Sequence, residues 1–478
     1  MSEKTLIQYF EWYLPCDGKH WNRATEDAPH LARLGITDVW LPPAYKCQDG
    51  MMDVGYGVYD LYDLGEFYQK GTIPTKYGTR EEYLNAIRTI RDHGIGVIAD
   101  VVLNHRMGAD YKEDTIGTKV EGAHRLTPVV ENKKLTVWTG FNFPGRNGKY
   151  SNFYWNKGHF SGVDWNEKNH FRAIFKLKGH QWSPNVSQEN DNYDYLMGAN
   201  VDFSVPEVAE ELKNWGKWYV ETTKVNGVRL DAVKHIDSTY YPGWLREIRA
   251  HALEKNKDEE FFAVGEYWEK NIWLLMQYLE DCEHSMTVFD VPLQDKFRKA
   301  SEQGADFDLT KIFDGTLVKM EPEYAVTIVD NHDTQPGQAL YNWVEAWFKP
   351  LAYALILLRE AGTPCVFYGD LYGIPHDGIP PVPGLEEMLL VRRRYAHGAQ
   401  VDYFDFHNVI GWTREGGMAV VMSNGGDGWK DMKLGYPGQK FVDALKNRGE
   451  EVTIDENGYG RFNVNGGSVS VWIPKQDT

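Results

Sequence analysis

The sequence predicts a closed (β/α)₈ barrel with an irregular β subdomain inserted after its third strand and an antiparallel β-sandwich at its C-terminal end. Three features support this fold class: eight short apolar runs bounded by turn residues, helical periodicity between several of them, and one very long connection. Alternating strands and helices favour a parallel sheet, and eight such units close into a barrel. An open doubly wound sheet is the alternative, but no Gly-x-Gly-x-x-Gly fingerprint supports it.

The predicted strands are short runs of apolar, β-branched or aromatic residues. They span residues 5–13, 37–43, 96–102, 227–233, 261–267, 287–293, 324–330 and 364–369. Periodic segments, several of which open with a proline or an acid, predict helices at residues 81–93, 206–224, 242–255, 344–360 and 385–397. Strand and helix therefore alternate along most of the chain, as a barrel requires.

The connection after the third strand is too long for a simple loop. Roughly a hundred residues precede the helix that begins at Pro206, and such an interval indicates a domain. Alternating segments at residues 135–143 and 170–177 predict strands within it. From residue 399 onward, short strand-like segments separated by Gly and Asn predict an all-β domain. The predicted domains are the barrel at residues 1–104 and 206–398, the insertion at 105–205 and the C-terminal domain at 399–478.

The charge balance argues against two classes of partner. The 478 residues include 51 Lys and Arg against 69 Asp and Glu, a formal net charge of −18. We therefore expect no nucleic-acid partner and no membrane partner, because both bind to a positively charged face. Aromatic residues make up 14% of the chain, more than a core requires, and flat apolar rings suit stacking against sugars. The composition therefore favours a carbohydrate.

The compartment is inferred from the cysteines and the N-terminal segment. The four cysteines are scattered without a Cys-x-x-Cys pair, which excludes a zinc knuckle or a redox motif of that kind. The first residues run directly into a strand pattern and no signal peptide is recognisable, so we expect a cytoplasmic protein. A secreted protein that has lost its leader gives the same pattern.

Acidic residues occupy the carboxyl ends of four predicted strands, where the active site of such a barrel lies. They are Asp100, Asp231, Glu266 and the pair Asp330 and Asp333. Several carboxyls that converge on one mouth raise one another's pKa and cost stability. The set therefore favours a functional role over a structural one.

Converging carboxyls suit either divalent-metal catalysis or glycoside hydrolysis. No His-Glu-x-x-His motif occurs, and the aromatic, Arg and His neighbours fit a sugar better than a bare ion. Glycoside hydrolysis needs one ionised and one protonated carboxyl. Asp231, beside Arg229, fits the ionised role. Glu266, beside Tyr267 and Trp268, fits the protonated role.

Four segments carry a resemblance to a known family. Residues 100–105, 227–235, 265–268 and 329–333 match, in order and in barrel position, the four motifs of the alpha-amylase family of retaining glycoside hydrolases. The flanking segments resemble the bacterial liquefying alpha-amylases and their intracellular relatives. The resemblance covers nearly the whole chain and implies the three-domain organisation predicted above.

The resemblance implies roles for individual residues. Asp231 corresponds to the nucleophile, Glu266 to the general acid/base and Asp333 to the residue that distorts the substrate and stabilises the transition state. Arg229 is expected to orient Asp231. The residues expected to contact the sugar chain are Tyr56, His105, Arg229, Lys234, His235, Tyr267, Trp268 and His332.

The family also has a calcium site between the inserted domain and the barrel. The matching positions are Asn104, Asp194, Asn200 and the backbone carbonyl of His235. Calcium accepts amide and carbonyl oxygens, so this set can bind it. The liquefying amylases usually carry an Asp where this chain has Asn200, and fewer negative ligands imply weaker binding. We expect one structural calcium ion.

Further ions are not expected. The liquefying amylases place acids of additional metal sites where this chain has Ser161, Ser183 and Ser204, and Asp202 alone remains of that cluster. Chloride-dependent members carry a basic residue where this chain has Pro336. We therefore expect neither a metal cluster nor a chloride ion.

The resemblance implies a monomeric, endo-acting alpha-amylase that hydrolyses α-1,4-glucosidic bonds of starch, glycogen or maltodextrins with retention, through a covalent intermediate. Lys234 and His235 favour this activity over two alternatives within the family, an exo-acting enzyme that forms maltooligosaccharides and a transglycosylase. A non-catalytic sugar-binding relative is the alternative from another class, but it would be expected to lack at least one of the three acids.

Overall fold

The computed structural model describes residues 4–257 and 260–475, in which eight parallel strands close into a barrel. The strands are β1 (Leu6–Gln8), β2 (Asp38–Leu41), β3 (Gly96–Val101), β4 (Gly227–Leu230), β5 (Phe262–Gly265), β6 (Thr287–Phe289), β7 (Ala325–Ile328) and β8 (Thr363–Phe367). Each strand pairs with its neighbours in sequence, and β8 closes the barrel on β1. The predicted fold class is confirmed.

Strand register sets the height of the functional side chains. Arg229 of β4 lies opposite Asp100 of β3, and Leu230 lies opposite Gly265 of β5. Asp231 and Glu266 therefore leave adjacent strands at the same level. In a barrel of this kind the carboxyl ends of the strands form the functional face.

The helices surround the barrel and include both long and short elements. They are α1 (His20–Leu34), α2 (Arg80–Asp92), α3 (Pro206–Thr223), α4 (Tyr240–Asn256), α5 (Ile272–Asp281), α6 (Val291–Gln303), α7 (Leu317–Met320), α8 (Lys349–Leu357), α9 (Tyr368–Tyr372) and α10 (Leu385–Tyr395). A capping box begins α2, in which Thr79 and Glu82 satisfy each other's backbone N–H groups. Within residues 4–257 and 260–475, no helix is long and apolar enough to cross a membrane.

Several predicted strands extend too far at their carboxyl ends. The first strand stops at Gln8, so residues 9–13 form a loop above the barrel. The sixth stops at Phe289 because Asp290 caps α6, its carboxylate accepting from the Leu293 backbone N–H at 3.0 Å. Pro292 stands in the first turn of that helix, where a missing N–H costs nothing. A helix start thus replaces the end of a predicted strand.

The insertion forms one six-stranded antiparallel sheet. Its strand order is His105–Arg106, Ala199–Val201, Phe160–Asn166, Phe171–Leu177, Tyr111–Val120 and Pro128–Gly140. The last two form a long pair that is more regular than the Asn- and Gly-rich composition indicates. The first strand follows β3 after three residues, so the sheet begins at the barrel mouth.

The C-terminal domain is antiparallel throughout, with a six-stranded sheet and a two-stranded sheet. The larger sheet orders Gln400–Phe406, Val409–Arg414, Met418–Ser423, Ser468–Pro474, Lys440–Asp443 and Val452–Thr453, and the smaller pairs Gly428–Lys433 with Tyr459–Val464. A core that includes Met432, Phe462 and Trp472 fills the space between them. The other face of the larger sheet continues the barrel core, as at Trp412, whose Nε1 donates to the Leu358 carbonyl at 3.1 Å.

A buried ion cluster fixes the chain after β7. The helix predicted from residue 344 begins at Lys349, whose ammonium contacts Asp330 at 2.8 Å and Asp370 at 2.5 Å. All three side chains are at most 3% exposed. Asp330 also accepts from the Thr334 hydroxyl at 2.8 Å, so the cluster ties the loop after β7 to α8 and α9.

We predict that Lys349→Met lowers the free energy of unfolding by about 3 to 5 kcal/mol, because it leaves two buried carboxyls without their cation. The matched control is Lys319→Met, which removes an exposed pair with Asp314 and should cost less than about 1 kcal/mol. Thermal and denaturant unfolding of both variants measure the difference. Equal losses in the two variants would contradict the role assigned to the buried cluster.

Candidate active site

The guanidinium of Arg229 lies among three acids at the barrel mouth. Its Nη1 donates to Asp231 Oδ1 at 2.7 Å and to Asp100 Oδ1 at 3.0 Å. Its Nη2 lies 3.5 Å from Glu266 Oε2. The Arg229 side chain is fully buried, so water does not screen these interactions. Arg229 is therefore placed to orient Asp231, as the sequence predicts.

Asp100 supports the site from below. Its Oδ2 accepts from Trp40 Nε1 at 3.1 Å and from the Tyr56 hydroxyl at 2.9 Å, while both oxygens contact Arg229. Burial raises the pKa of Asp100 to about 6, against the opposing effect of Arg229. These contacts hold the side chains of Trp40, Tyr56 and Arg229 in place, so Asp100 has a positioning role.

Glu266 has the environment of a general acid. Burial raises the pKa of Glu266 to about 8; Arg229 opposes this shift, and the charges of Asp231 and Asp333 add to it. Its Oε2 accepts from the Ala232 backbone N–H at 2.8 Å and lies near Arg229, which leaves Oε1 to carry the proton. A carboxyl that stays protonated near neutral pH can donate to a leaving group.

Asp333 completes the acids on the loop after β7. Its backbone N–H donates to Asn331 Oδ1 at 2.9 Å, which holds the turn. Burial raises the pKa of Asp333 to about 7, Arg229 opposes this shift, and Asp231 adds to it. The side chain keeps 25% exposure, so one face of the carboxyl remains open to a ligand.

Three parallel aromatic rings lie beside these acids. The ring of Tyr56 lies 5.2 Å from that of His332 with 3° between their planes, and Trp12 lies 6.2 Å and 6.1 Å from the two. Each pair of rings is stacked with an offset. An aromatic surface of this kind can hold a sugar ring by its apolar face.

His105 and His332 both lie next to Tyr56. His105 Nε2 donates to the Tyr56 carbonyl at 2.7 Å, so its proton is committed to the backbone. Its Nδ1 is buried and has no hydrogen-bond partner within the described residues. Burial lowers the pKa of His105, which keeps the ring neutral. A sugar hydroxyl would therefore meet an accepting nitrogen at His105.

Lys234 and His235 lie on the turn that follows β4. The Lys234 ammonium contacts both carboxylate oxygens of Glu189 at 3.2 Å and donates to the Trp268 carbonyl at 3.1 Å. His235 Nδ1 donates to the Tyr193 carbonyl at 2.6 Å. Lys234 borders a cavity of about 410 Å³ whose lining also includes Glu189. This cavity provides space next to the predicted leaving-group side.

The two aromatic residues after Glu266 differ in exposure. Tyr267 is 7% exposed and packs against Tyr278 with centroids 4.6 Å apart, so packing accounts for its ring. Trp268 is partly exposed. The place of Tyr267 and Trp268 beside a glucan stays a prediction.

Three of the four predicted calcium ligands, Asn104, Asp194 and Asn200, lie together between the insertion and the barrel. Asn104 Nδ2 lies 3.5 Å from Asn200 Oδ1, and Ser161 joins Asn200 to Asp194 through contacts of 2.9 and 3.4 Å. Asn104 Oδ1 is buried and has no hydrogen-bond partner in the part of the chain that the structure describes. Burial raises the pKa of Asp194 to about 7, and hydrogen bonds from Ser183 and Asn200 oppose the shift. These oxygens fit a hard cation.

Comparison with known proteins identifies the family of the chain. Residues 20–387 match the alpha-amylase catalytic domain, and residues 418–473 match the alpha-amylase C-terminal domain. The chain belongs to the alpha-amylase family. The four motifs are therefore family motifs, and the family's general chemistry, glycoside hydrolysis, applies to the site.

Amylases from two bacteria resemble the chain over nearly its full length. An alpha-amylase of Geobacillus stearothermophilus is 49% identical over 486 residues, covering 99% of this chain and 87% of that protein. The cytoplasmic alpha-amylase of Escherichia coli K12 is 46% identical over 495 residues, covering 99% of each. Among solved structures, an acarbose complex of the Geobacillus thermoleovorans alpha-amylase has a TM-score of 0.66 at 16% identity. The match covers 100% of this chain and 99% of that chain. At this identity it supports the fold alone.

Sequence reasoning missed some residues of this amylase site. Trp12 belongs to the set of parallel rings, and Gln8 contacts His332, yet both fall within a predicted strand of residues 5–13. A signal was present, since Gln8 is a polar residue at the end of an apolar run. In the sheet, Gln8 lies between Phe367 of β8 and Trp40 of β2, which shows how closely the end of the first strand is enclosed.

We predict that the activity of this amylase declines as the pH rises through about 8. Glu266 must be protonated to act as an acid, and its pKa of about 8 marks the loss of that proton. A pH profile of kcat/KM on a soluble glucan measures the alkaline limb. A limb near pH 5 would contradict the assignment of Glu266 as the buried acid.

The stability of Glu266→Gln is the control for this assignment. The folded carboxyl keeps its proton to about pH 8, whereas an unfolded one loses it near pH 4.5. Wild-type stability therefore falls across this window, by up to about 1.4 kcal/mol per pH unit. The neutral variant lacks this loss, so the two proteins should match near pH 4 and diverge towards pH 8 in thermal unfolding.

Proposed function

We propose that the protein is an endo-acting alpha-amylase that hydrolyses α-1,4-glucosidic bonds with retention of anomeric configuration. One observation carries the proposal: Asp231 and Glu266, on adjacent strands, share one buried guanidinium, and the pKa of Glu266 is raised to about 8. A carboxylate and a carboxylic acid at one mouth are the two groups that glycoside hydrolysis needs.

In the first step, Glu266 donates its proton to the glycosidic oxygen while Asp231 attacks the anomeric carbon. The C–O bond to the leaving sugar breaks and an ester bond to Asp231 forms. Arg229 holds the attacking carboxylate at 2.7 Å, which restricts its rotation before the reaction. The parallel rings of Trp12 and Tyr56, packed on His332, would support the sugar ring.

In the second step, the Glu266 carboxylate accepts a proton from water, and the water oxygen attacks the anomeric carbon. The ester bond to Asp231 breaks and the sugar leaves with its original configuration. Asp333 lies beside His332, and together they offer a carboxyl and an N–H group to sugar hydroxyls. Contacts that strengthen as the ring flattens lower the barrier of both steps.

Two cavities that border residues next to the site support endo action. Lys234 borders one cavity, and a second of about 340 Å³ lies beside the residues that follow His105, between the insertion and the barrel loop that includes Gln48. Its lining includes the partly exposed Trp138. An enzyme that cuts inside a chain needs room for sugars on both sides of the broken bond. An exo-acting amylase or a transglycosylase remains the alternative within the family.

We predict that the protein lowers the iodine staining of soluble starch faster than it releases reducing ends, because an internal cut shortens long chains early. The first products should be α-anomers, as retention requires. Asp231→Asn should lower kcat by at least about a thousandfold while the protein stays folded. A β-anomeric product, or no hydrolysis by the wild type, would refute the proposed function.

The product profile separates the alternatives. Release of a single short maltooligosaccharide from chain ends, without early loss of iodine staining, would indicate exo action. Longer products formed from maltooligosaccharides would indicate transglycosylation. Binding of starch without hydrolysis would indicate a sugar-binding protein.

We further propose that one calcium ion binds Asn104, Asp194, Asn200 and the His235 carbonyl. Two observations support this proposal: Asn104 Oδ1 has no hydrogen-bond partner among the described residues, and the carboxyl of Asp194 is buried. Asp202, by contrast, already accepts from His180 at 2.6 Å and from the Ser204 hydroxyl. The ion would bind the insertion to the barrel, and no step of the reaction runs through it.

We predict that calcium raises the Tm by several degrees and that EDTA reverses the increase, since a ligand that binds only the folded state stabilises it. Asp194→Asn should lose most of this response. Asp202→Asn, outside the proposed ligand set, should keep it. A Tm of the wild type that does not respond to either reagent would rule out the site.

The compartment and the oligomeric state remain proposals. The E. coli relative is named a cytoplasmic alpha-amylase, and by analogy we place this protein in the cytoplasm as a monomer acting on an α-glucan. Cell fractionation and gel filtration test these two points.

A further inference from the structure

A buried glutamine contacts the histidine that faces the sugar site. Gln8 is the last residue of β1 and is 1% exposed, and its Nε2 lies 2.9 Å from Nδ1 of His332. His332 is also 1% exposed and sits on the loop after β7. The two residues are 324 positions apart in sequence, so only the closed barrel brings them together.

The chemistry of this contact determines where the imidazole proton lies. An amide nitrogen only donates, so Nδ1 of His332 accepts, and a neutral ring must then carry its proton on Nε2. Burial and the nearby Arg229 hold the pKa of His332 well below its usual range, which keeps the ring neutral. The neutral Nε2–H form is therefore the one that Gln8 supports.

The remaining nitrogen points at the reacting groups. Nε2 lies 3.3 Å from Asp333 Oδ2 without the geometry of a hydrogen bond, and among the described residues it has no other partner. Phe10 lies against the ring at 5.0 Å, and Trp12 and Tyr56 hold its plane. The ring cannot turn without disturbing all three neighbours.

The charged groups that face His332 have opposite signs. Asp333, on its own loop, favours a proton on Nε2, and Arg229, from β4, disfavours a positively charged ring. From β1 and the following loop the ring meets Gln8, Phe10 and Trp12, and from β2 it meets Trp40; none of these is ionisable at neutral pH. Tyr56 contributes a neutral phenol.

We infer that Gln8 is a positioning residue that fixes His332 in the Nε2–H tautomer and thereby supplies a hydrogen-bond donor to a sugar hydroxyl beside Asp333. A neutral donor at this point adds no charge to a mouth that holds several carboxyls. The inference rests on the proposed glycoside hydrolase function, but the tautomer itself is defined without a substrate.

The loop after β1 strengthens this arrangement with further contacts to the loop after β7. The Trp12 backbone N–H donates to Gln335 Oε1 at 3.0 Å, and Gln335 Nε2 donates to Glu11 at 3.1 Å. The Tyr13 hydroxyl donates to the Pro336 carbonyl at 3.0 Å. Gln8 thus belongs to an interface that sets the distance between the two loops.

Neutron diffraction of deuterium-exchanged wild-type crystals tests the tautomer directly. The expected result is deuterium on Nε2 of His332 and none on Nδ1. Deuterium on Nδ1, alone or with Nε2, would overturn the inference. This measurement needs neither a variant nor activity, so it is independent of whether starch is hydrolysed.

Gln8→Glu tests the function of the tautomer. An ionised carboxylate at position 8 accepts where the amide donates, so deuterium should move to Nδ1, and kcat/KM at neutral pH should fall by about tenfold as Nε2 loses its donor. The ratio of wild-type to variant kcat/KM should shrink at acid pH, where a protonated Glu donates as Gln does. A ratio that is constant with pH would overturn the inference.

The matched control is Gln294→Glu on α6. This glutamine is buried and donates to the Asn342 carbonyl at 2.7 Å, so the change likewise introduces a buried carboxyl. Its hydrogen bond lies on a different element from the one that contacts His332. Deuterium should stay on Nε2 of His332, and kcat/KM should remain within about twofold of wild type. If Gln8→Glu does not fold, the wild-type neutron map still decides the question.

Discussion

A single guanidinium, that of Arg229, lies among the acids of the barrel mouth, and the chemistry of the site depends on it. It contacts Asp100 and Asp231 directly and Glu266 at a slightly longer distance. One positive charge cannot compensate these carboxyls and Asp333 when all are ionised in a dry site. Burial raises the pKa of Glu266 to about 8, of Asp333 to about 7 and of Asp100 to about 6, and Arg229 opposes each of these shifts. Burial that one guanidinium only partly offsets therefore keeps Glu266 protonated at neutral pH.

The barrel can accommodate these acids because its strands fix their positions and separate the carboxyls from water and from one another. Asp100 of β3 and Arg229 of β4 are paired in the sheet, so the strand register brings the two residues together whatever their side-chain rotamers. Behind the site, Lys349 supplies a second buried cation for Asp330 and Asp370. Both clusters hold more acids than cations, and burial raises the pKa of Asp330 to about 7 although Lys349 opposes the shift. They differ in role, since the second cluster ties the loop after β7 to α8 and α9.

The alternation of apolar runs and periodic segments was sufficient to predict the barrel, and acids at strand ends pointed to Asp231, Glu266 and Asp333. Strand ends were less predictable. The residues after Thr287 keep a composition typical of strands into the first turn of α6. The strand ends where Asp290 caps the helix. Trp12 was missed for a related reason, because the loop that contains it has the same apolar composition as a strand. Gln8 does end a strand, and the sequence gives no sign of its contact with His332. Contacts between distant segments, such as that between Gln8 and His332, leave no trace in local periodicity.

The contact between the first strand and the loop after the seventh also has a consequence for the order of assembly. Asp231 and Glu266 lie in the middle of the chain, but the partner that fixes His332 lies near its beginning, and His332 itself emerges much later. Contacts of such long sequence separation form late, because loop closure must precede them. During synthesis, the nucleophile and the acid are therefore present long before the donor beside Asp333 is set. The enzyme acquires its full site only when β8 pairs with β1 and the barrel closes.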